Sequence, residues 1–580
     1  MKRILLIISL FMICISCEEE SIIEQENGVL GNLEITILSG VDPVSGITIM
    51  TDPKTETLIT NEEGVVYFND IEPGDYTVII SLEESQVSNL FFETVIVKNE
   101  TKKEFYQIPK LSEPISVIPP DVSLLLTQSY KRLQDIFNAD DYLAYWGDTG
   151  TDMLTSNTGR YGLLDKLDAY DINSSSSIIE EVFSEHYIQI RGCNYALDNL
   201  SNPENDFDQS INKTEIEAHF KFLRGLLYFN LIKLYGNPLL SLTTENDLNS
   251  VPNLPQNPNT TYAQIEEDLL FAIRNLPVSE SNDRANQLIA RALLAKVYMT
   301  MAGFPLNETS KYANALEQLK IIQGQYELIA DYNLIFNEEN EVSNSEILFR
   351  IAYDGEENTS SSFNDYWGPI GVAERDALVL APGFANYFSN LSITFENPVS
   401  FPIEIVDTRF KNSIATFTIS DNIIVDEQNP ENWRPLKWFN GELPNASFKS
   451  SSFDYPLIRY SDILLLLAEA ENEVNGPTLL AYNAINEVRQ RAFGNDENNI
   501  PNNLDKEQFF ERIYLERTFE LCFEGHRRDD LIRWNRLQEV VDNFNSTSDK
   551  QKDYQPHKYV WPIPQLEIDL NPNAIQNPGY

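Results

Sequence analysis

The amino-acid sequence predicts a mainly α-helical protein: a tetratricopeptide-like scaffold of antiparallel helical pairs that carries a loop-rich insertion and follows a small all-β sandwich. Three observations predict it. Apolar residues recur at helical spacing from Asp121 to Gly324 and again beyond Asp454, in paired segments without a strict repeat. Between 28 and 111 the period changes to two, the pattern of half-buried strands. From 325 to 454 neither period persists, and Asn, Ser, Pro and aromatic residues are frequent. At 580 residues the chain exceeds one ordinary core, so more than one domain is expected.

In chain order, Lys2 and Arg3 precede an apolar run too short to span a bilayer, which predicts an export signal over residues 1–16. Ser16-Cys17 resembles a bacterial lipobox, which implies that Cys17 is the lipidated first residue of the mature chain. Glu18, Glu19 and Glu20 resemble the acidic tag with which Bacteroidetes lipoproteins reach the outer face, and residues 17–27 then form a tether. The strands NLEITIL, ITIMT, GVVYFNDI, DYTVIISL and FFETVIVKN come next, with turns at Asn61 to Gly64 and Glu72 to Asp75. This sandwich, 28–111, resembles the carboxypeptidase regulatory-like (prealbumin-type) domain and is expected to act as a spacer. Pro114, Pro119 and Pro120 stiffen a linker over 112–120.

The helical domain is expected over 121–580. Asp121 caps SLLLTQSYKRLQDIF. The helix TEIEAHFKFLRGLLYFNLIKLY is expected to begin on a Thr214 to Glu217 capping box and to stop at Gly236. Its stripe of Ile216, Phe220, Leu223, Leu227 and Leu231, widened by Phe222, Leu226 and Phe229, predicts burial on nearly every side. Helices at 262–275, 285–301 and 310–323 follow, the last closed by Gly324. Within the insertion, 325–454, EILFRIAY reads as a strand.

Beyond it, Ile463, Leu467, Ala470 and Val474 share one helical face, and Gly476-Pro477 turns the chain into a second helix with Ala481, Ile485, Val488 and Ala492 on its face. A third begins at Asp505, with Gln508 placed for a capping box. Along it Glu516, Glu520 and Glu524 recur every four residues, a spacing at which like charges repel. Cations must answer them. Arg489, Arg491, Arg512, Arg517, Arg527, Arg528 and Arg533 are near in sequence, with Arg527 or Arg533 expected among the partners of Glu520 and Glu524; arginine's planar fork suits buried carboxylates.

These residues resemble the SusD/RagB family of outer-membrane nutrient-binding lipoproteins. The resemblance rests on Pro456, Arg459, Tyr460, Asp462 and Glu469, then Asn486, Arg489 and Arg491. It continues through Glu516, Arg517, Glu520, Phe523, Glu524, Gly525, Arg527, Asp530, Leu531 and Arg533 to Pro562-Ile563-Pro564 and the closing Gln576-Asn577-Pro578-Gly579-Tyr580. It implies a non-enzymatic lipoprotein, anchored in outer-membrane lipid, that captures an oligosaccharide or a peptide for a SusC-like TonB-dependent β-barrel receptor.

The net charge of −47 argues against nucleic-acid binding, because an acidic surface releases no counterions from phosphates. His186, His219, His526 and His557 are scattered, with no metal-ligand spacing, and neither a nucleophile elbow nor a phosphate loop occurs. No cofactor, metal or catalytic residue is therefore expected. Cys193 and Cys522 read as small buried hydrophobes. An extracellular hydrolase using the glutamate stripe is the competing reading, but surrounding arginines depress carboxylates and spoil a general acid. A purely structural adhesin is a third. For a ligand, flat rings pack on the C–H faces of sugars, which makes Tyr145, Trp146, Tyr366, Trp367, Trp433 and Trp438 the binding candidates, with Trp146, Tyr366 and Trp367 as a shared platform.

Overall fold

The computed structural model describes residues 30–580 apart from 40–41, 82–89, 109–120, 138–146, 158, 160–161, 206, 209–210, 245–256, 280, 337–343, 354–366, 372–375, 382, 385–386, 389–406, 422, 439–452 and 572. The chain divides into two compact units, Met1–Ile118 and Pro119–Tyr580. The signal, Cys17 and the tether lie outside the described residues.

Among the described residues of the first unit, eight strands form two sheets. They are β1 (Gly31–Ser39), β2 (Asp42–Pro43), β3 (Thr48–Asp52), β4 (Leu58–Ile59), β5 (Val65–Ile71), β6 (Gly74–Ser81), β7 (Leu90–Ile96) and β8 (Thr101–Gln107). One sheet centres on β1, antiparallel to β2 and β5 and parallel to β8; the other runs β4-β3-β6-β7. The alternation works as expected: Leu33, Ile35 and Ile37 point inward opposite Val66, Phe68, Val78 and Ile80, while Glu34 pairs with Lys103 outside. Gly64 sits at φ +72° where a Cβ would lie 2.6 Å from the Ile37 carbonyl, so only glycine fits that turn. At the next turn the Tyr76 hydroxyl donates to the Glu72 carbonyl at 3.0 Å.

The second unit is a layer of antiparallel helices. Lys213–Tyr235 packs between Ser177–Ser201 and Pro258–Asn275, and Gln287–Ala302 packs on Lys311–Ile322. Tyr460–Asn475 then packs on Lys311–Ile322, Leu479–Phe493 and Lys506–Glu520. The insertion is thus spliced between two helices that touch, and its ends are tied by antiparallel pairing of Ile347–Ile351 with Tyr455–Arg459. One continuous hydrophobic core runs under both halves of the layer. Among the described residues, no helix is long and apolar enough to cross a membrane.

Most predicted elements are present. Asp121 accepts from the Ser123 and Leu124 amides, and Asp505 with Gln508 makes the full capping box. Four details differ. The first helix breaks after Lys131 into Val122–Lys131 and Leu133–Phe137. The helix beginning at Lys213 is capped by Asn212, whose Oδ1 accepts from the Glu215 amide at 3.3 Å, so Thr214 is already helical. Val474 is exposed, because its helix is ending there. The 25-residue helix Ser177–Ser201 is an element that the periodicity does not mark: His186, Gln189 and Asn194 sit in its buried face and blur the apolar stripe of Ile179, Val182, Phe183 and Ile190. Cys193 and Cys522 are both buried free thiols.

Candidate functional site

The glutamate stripe is the hub of a buried ion network. The helix Lys506–Glu520 carries Glu516 and Glu520; it ends at Leu521, and Phe523 at φ +66° bends the chain so that Glu524 returns to the same region. Arg459, fully buried at the junction of strand Tyr455–Arg459 and the following helix, donates from Nε to Glu524 at 2.7 Å and from Nη1 to Glu346 at 2.5 Å and Glu520 at 3.2 Å. Arg491 bridges Glu346 at 2.9 Å and Glu520 at 2.5 Å, Arg409 reaches Glu516 and Glu520, Arg489 reaches Glu516, and Lys437 reaches Glu524 at 2.8 Å. Burial alone would raise Glu520, but Arg491, Arg459 and Arg409 outweigh it and hold its carboxyl far below the usual range.

The expected partners of Glu520 and Glu524 need correction. Arg533 instead forks onto Glu469 and binds Asp530, and Arg517 joins Asp530 to Asp462 at 2.8 Å each. Arg527 turns away altogether, to Asp152. A helix places 520, 527 and 533 on different sides once the chain bends at 521–526. Two of the cations that do answer the stripe, Arg409 and Lys437, come from the insertion, as does Glu346, a further carboxylate on Arg459 and Arg491, and no local spacing marks them.

The aromatic candidates also need correction. Tyr145, Trp146 and Tyr366 lie outside the described residues. Trp367 has no exposed surface: its ring meets Trp438 at 6.5 Å and Phe523 at 6.0 Å. Trp438 is equally enclosed, with Phe336, Phe453 and Tyr455 around it. Neither ring offers a face to a ligand, because the loops that carry them fold onto the hydrophobic core. Trp433 is half-buried, edge-on to Phe410, and its indole N–H donates to the Glu427 carbonyl at 2.9 Å.

A different aromatic-lined surface exists. An open groove of about 1140 Å³ runs between Ala381, Gly383, Phe384 and Tyr387, the helix Lys506–Glu520, the turn at Arg527 and the helix Leu537–Thr547. Leu537–Thr547 buries Leu537, Val540, Val541 and Phe544, which turns Gln538, Glu539, Asp542 and Asn543 outward. On the opposite wall Tyr387 is 42 % exposed and leans on Phe519, with ring centroids 5.6 Å apart. Tyr514 lies beside it, its ring 4.4 Å beneath the Arg527 guanidinium and 5.4 Å from Trp534.

Arg527 holds this end rigid. It forks onto Asp152 through Nε at 2.9 Å and Nη2 at 2.8 Å, and donates to Thr518 Oγ1 at 2.7 Å and to the Tyr514 hydroxyl. Burial would raise Asp152, but the Arg527 charge prevails and holds it below the carboxylate norm. One step back, fully buried Asp148 accepts from the Gly525 amide at 2.8 Å and the Arg527 amide at 3.1 Å, and burial pushes its carboxyl up to about 7. A Cβ on Gly147 would fall 2.0 Å from the Gly525 carbonyl oxygen, so the two backbones touch there. A second, smaller cavity of about 70 Å³, lined by Lys296, Arg517 and His526, has room for a few waters but not for a sugar ring. Burial lowers the His526 imidazole to about 4, leaving it neutral. Among the described residues, no group of His, Cys, Asp or Glu is arranged to hold a metal ion.

Stacked helical pairs beneath an open, aromatic-walled groove define the binding-scaffold class of helical-repeat protein. The chain belongs to the SusD/RagB family. The SusD family model matches residues 406–580, and a SusD-like model described as "Starch-binding associating with outer membrane" matches 112–299. SusD-like protein P25 of Formosa agariphila is 26% identical over 479 residues, 75% of this chain and 87% of that one. Protein P38 of the same organism is 25% identical over 493 residues, 79% of this chain and 91% of that one. A SusD homologue from Bacteroides thetaiotaomicron superposes with a TM-score of 0.68 at 25% identity, covering 80% of this chain and 97% of that one. The fold is shared too with surface glycan-binding protein A of the same species, solved with laminarihexaose, at a TM-score of 0.62 and 18% identity over 79% and 98% of the two chains. Both family models lie outside residues 28–111, so the sandwich fold stands on its own strands.

Proposed function

We propose that this protein captures an oligosaccharide at the cell surface without turning it over and passes it to a SusC-like TonB-dependent β-barrel. The groove between Tyr387, Tyr514 and the helix Leu537–Thr547 carries the reading. Sugars need flat apolar faces for their C–H surfaces and short polar groups for their hydroxyls. Tyr387 and Tyr514 supply the first, and Asn535, Gln538 and Asn543 the second. Relatives named for starch, laminarin or glycan binding support the ligand class. Hydrolysis requires two carboxyls flanking the bond, one of them protonated; Asp152, the acid closest to the tyrosines' arginine, is kept ionised by it.

Titration calorimetry of the protein against laminari-, malto-, xylo- and manno-oligosaccharides tests this. Binding without release of new reducing ends is expected, and loss of binding in Tyr387→Ala with the fold retained. Release of reducing ends by the purified protein, or unchanged affinity in Tyr387→Ala, overturns it. For the anchor, Cys17→Ala is expected to move the protein out of the membrane fraction, and retention there removes the lipid from the proposal. For the partner, a TonB-dependent barrel is expected to co-purify from detergent-solubilised membranes, and its absence removes that step.

A further inference from the structure

We infer that the groove selects uncharged oligosaccharides and rejects uronate or sulfated ones, a specificity that rests on the groove being the glycan site. Among its described lining residues, three carboxylates, Asp152, Glu539 and Asp542, stand against a single cation, Arg527. That cation is already spent. Both edges of its guanidinium are engaged, by Asp152, Thr518 and the Tyr514 hydroxyl, and its flat face covers the Tyr514 ring. A ligand carboxylate or sulfate therefore finds no free fork, of the kind that anion recognition uses, among the described lining residues. What it meets instead are Glu539 and Asp542, both exposed on one turn of the helix Leu537–Thr547, with Gln538 donating to Asp542 at 2.9 Å. No lysine or histidine is among the described lining residues.

The cations that flank the described lining are mostly paired. Arg536 is paired with Glu511 and Lys552 with Asp168, while exposed Arg512, next to Glu511, acts on Tyr387 from outside the lining. With a chain charge of −47 the wider field is also negative. An uncharged sugar is indifferent to this. Each like-charge pair held several ångströms apart in a water-like medium lowers affinity by a factor of about two to four, and pairs along a chain of uronates multiply.

The test compares tetrasaccharides of equal length, uncharged gluco-, manno- and xylo-forms against galacturonate, mannuronate and guluronate forms, by calorimetry in about 20 mM and about 500 mM NaCl. The best uncharged probe is expected to bind at least about tenfold tighter than the best uronate at low salt. The gap is expected to narrow several-fold at high salt, as the screening length falls from about 20 Å to about 4 Å. In the double variant E539Q/D542N the low-salt ratio is expected to drop about fivefold, read against a circular-dichroism melt. Uronates binding as tightly as uncharged probes, or a ratio unmoved in the folded variant, overturns charge selection and leaves glycan binding standing. Binding of neither class overturns the groove as a glycan site, and this inference with it.

Discussion

The two faces of the helix Lys506–Glu520 do opposite things. Glu516 and Glu520, on one face, enter a buried network in which Arg409, Arg459, Arg489 and Arg491 are committed to carboxylates. Tyr514 and Thr518, on the other, look onto the open groove and are tied by Arg527, with Arg536 also 4.9 Å from the Tyr514 ring. The same backbone serves packing and exposure because residues two apart on a helix point nearly opposite ways. The difference teaches what each side can lose. A charge removed from the network leaves its partners buried and unpaired, whereas a ring removed from the groove is replaced by water.

The sharpest way to break the comparison is Glu520→Ala. Arg491 and Arg459 would remain desolvated, at a cost of about 3 to 5 kcal/mol. All six tryptophans, 146, 367, 433, 438, 534 and 561, lie in the second unit, so urea unfolding followed by tryptophan fluorescence reports that unit alone. A loss below about 1 kcal/mol would show that the network is not holding the fold. Trp367→Ala belongs to the same class, with about 3 to 5 kcal/mol lost from a packed interior. Ligand affinity of the fraction still folded is expected to be unchanged; weakened binding there would return Trp367 to the site.

On the groove side, Tyr387→Ala is expected to cost about 2 kcal/mol of binding, some thirtyfold, with a melt displaced by only a few degrees. Early melting with normal binding would move Tyr387 into the core class.

Acid and base separate the regions next, by about 1 to 2 kcal/mol. Glu520, Glu524, Asp462 and Asp530 are held below their unfolded values despite burial, by Arg491, Arg459, Lys296 and Arg517 among others. Their contribution is complete above about pH 4 and is lost as pH falls through the folded values. Asp148, behind the groove, is raised to about 7 by burial. Its contribution is complete below about pH 4 and is lost as pH rises through 7. His186, His219 and His526, each lowered by burial to about 4, contribute stability that is complete above about pH 6.5 and lost as pH falls through 4. Together they outweigh Asp148, so stability is expected to rise up to about pH 6.5. A urea series from pH 3 to 9 in which Asp148→Asn does not steepen that rise contradicts the Asp148 assignment.

The smallest expected effect comes from deleting residues 28–111 while keeping Cys17. The sandwich closes its own core of Leu33, Ile35, Val66, Phe68, Val78 and Ile80, so ligand affinity in solution is expected to stay within a factor of about two. A larger loss would make the sandwich part of the site.

Periodicity by itself determined the helical pairs, the sandwich, the capping box at Asp505 and the capping residue Asp121, because caps and stripes act between residues a few positions apart. It also determined that the glutamates at 516, 520 and 524 needed buried cations, since their spacing creates the repulsion to be answered. Which cations answer, and which rings face water, was decided only by the tertiary structure. Arg459 and Lys437 meet Glu524 across separations of 65 and 87 residues, and Trp367 is enclosed by Trp438 and Phe523 from two other segments. The groove draws on Asp152, Tyr387, Tyr514, Arg527 and Asn543 together, and the alternation of Val540, Val541 and Phe544 with Gln538, Glu539 and Asp542 is the one local sign of it. Side-chain exposure depends on what distant chain folds over a residue, and no window of sequence contains that.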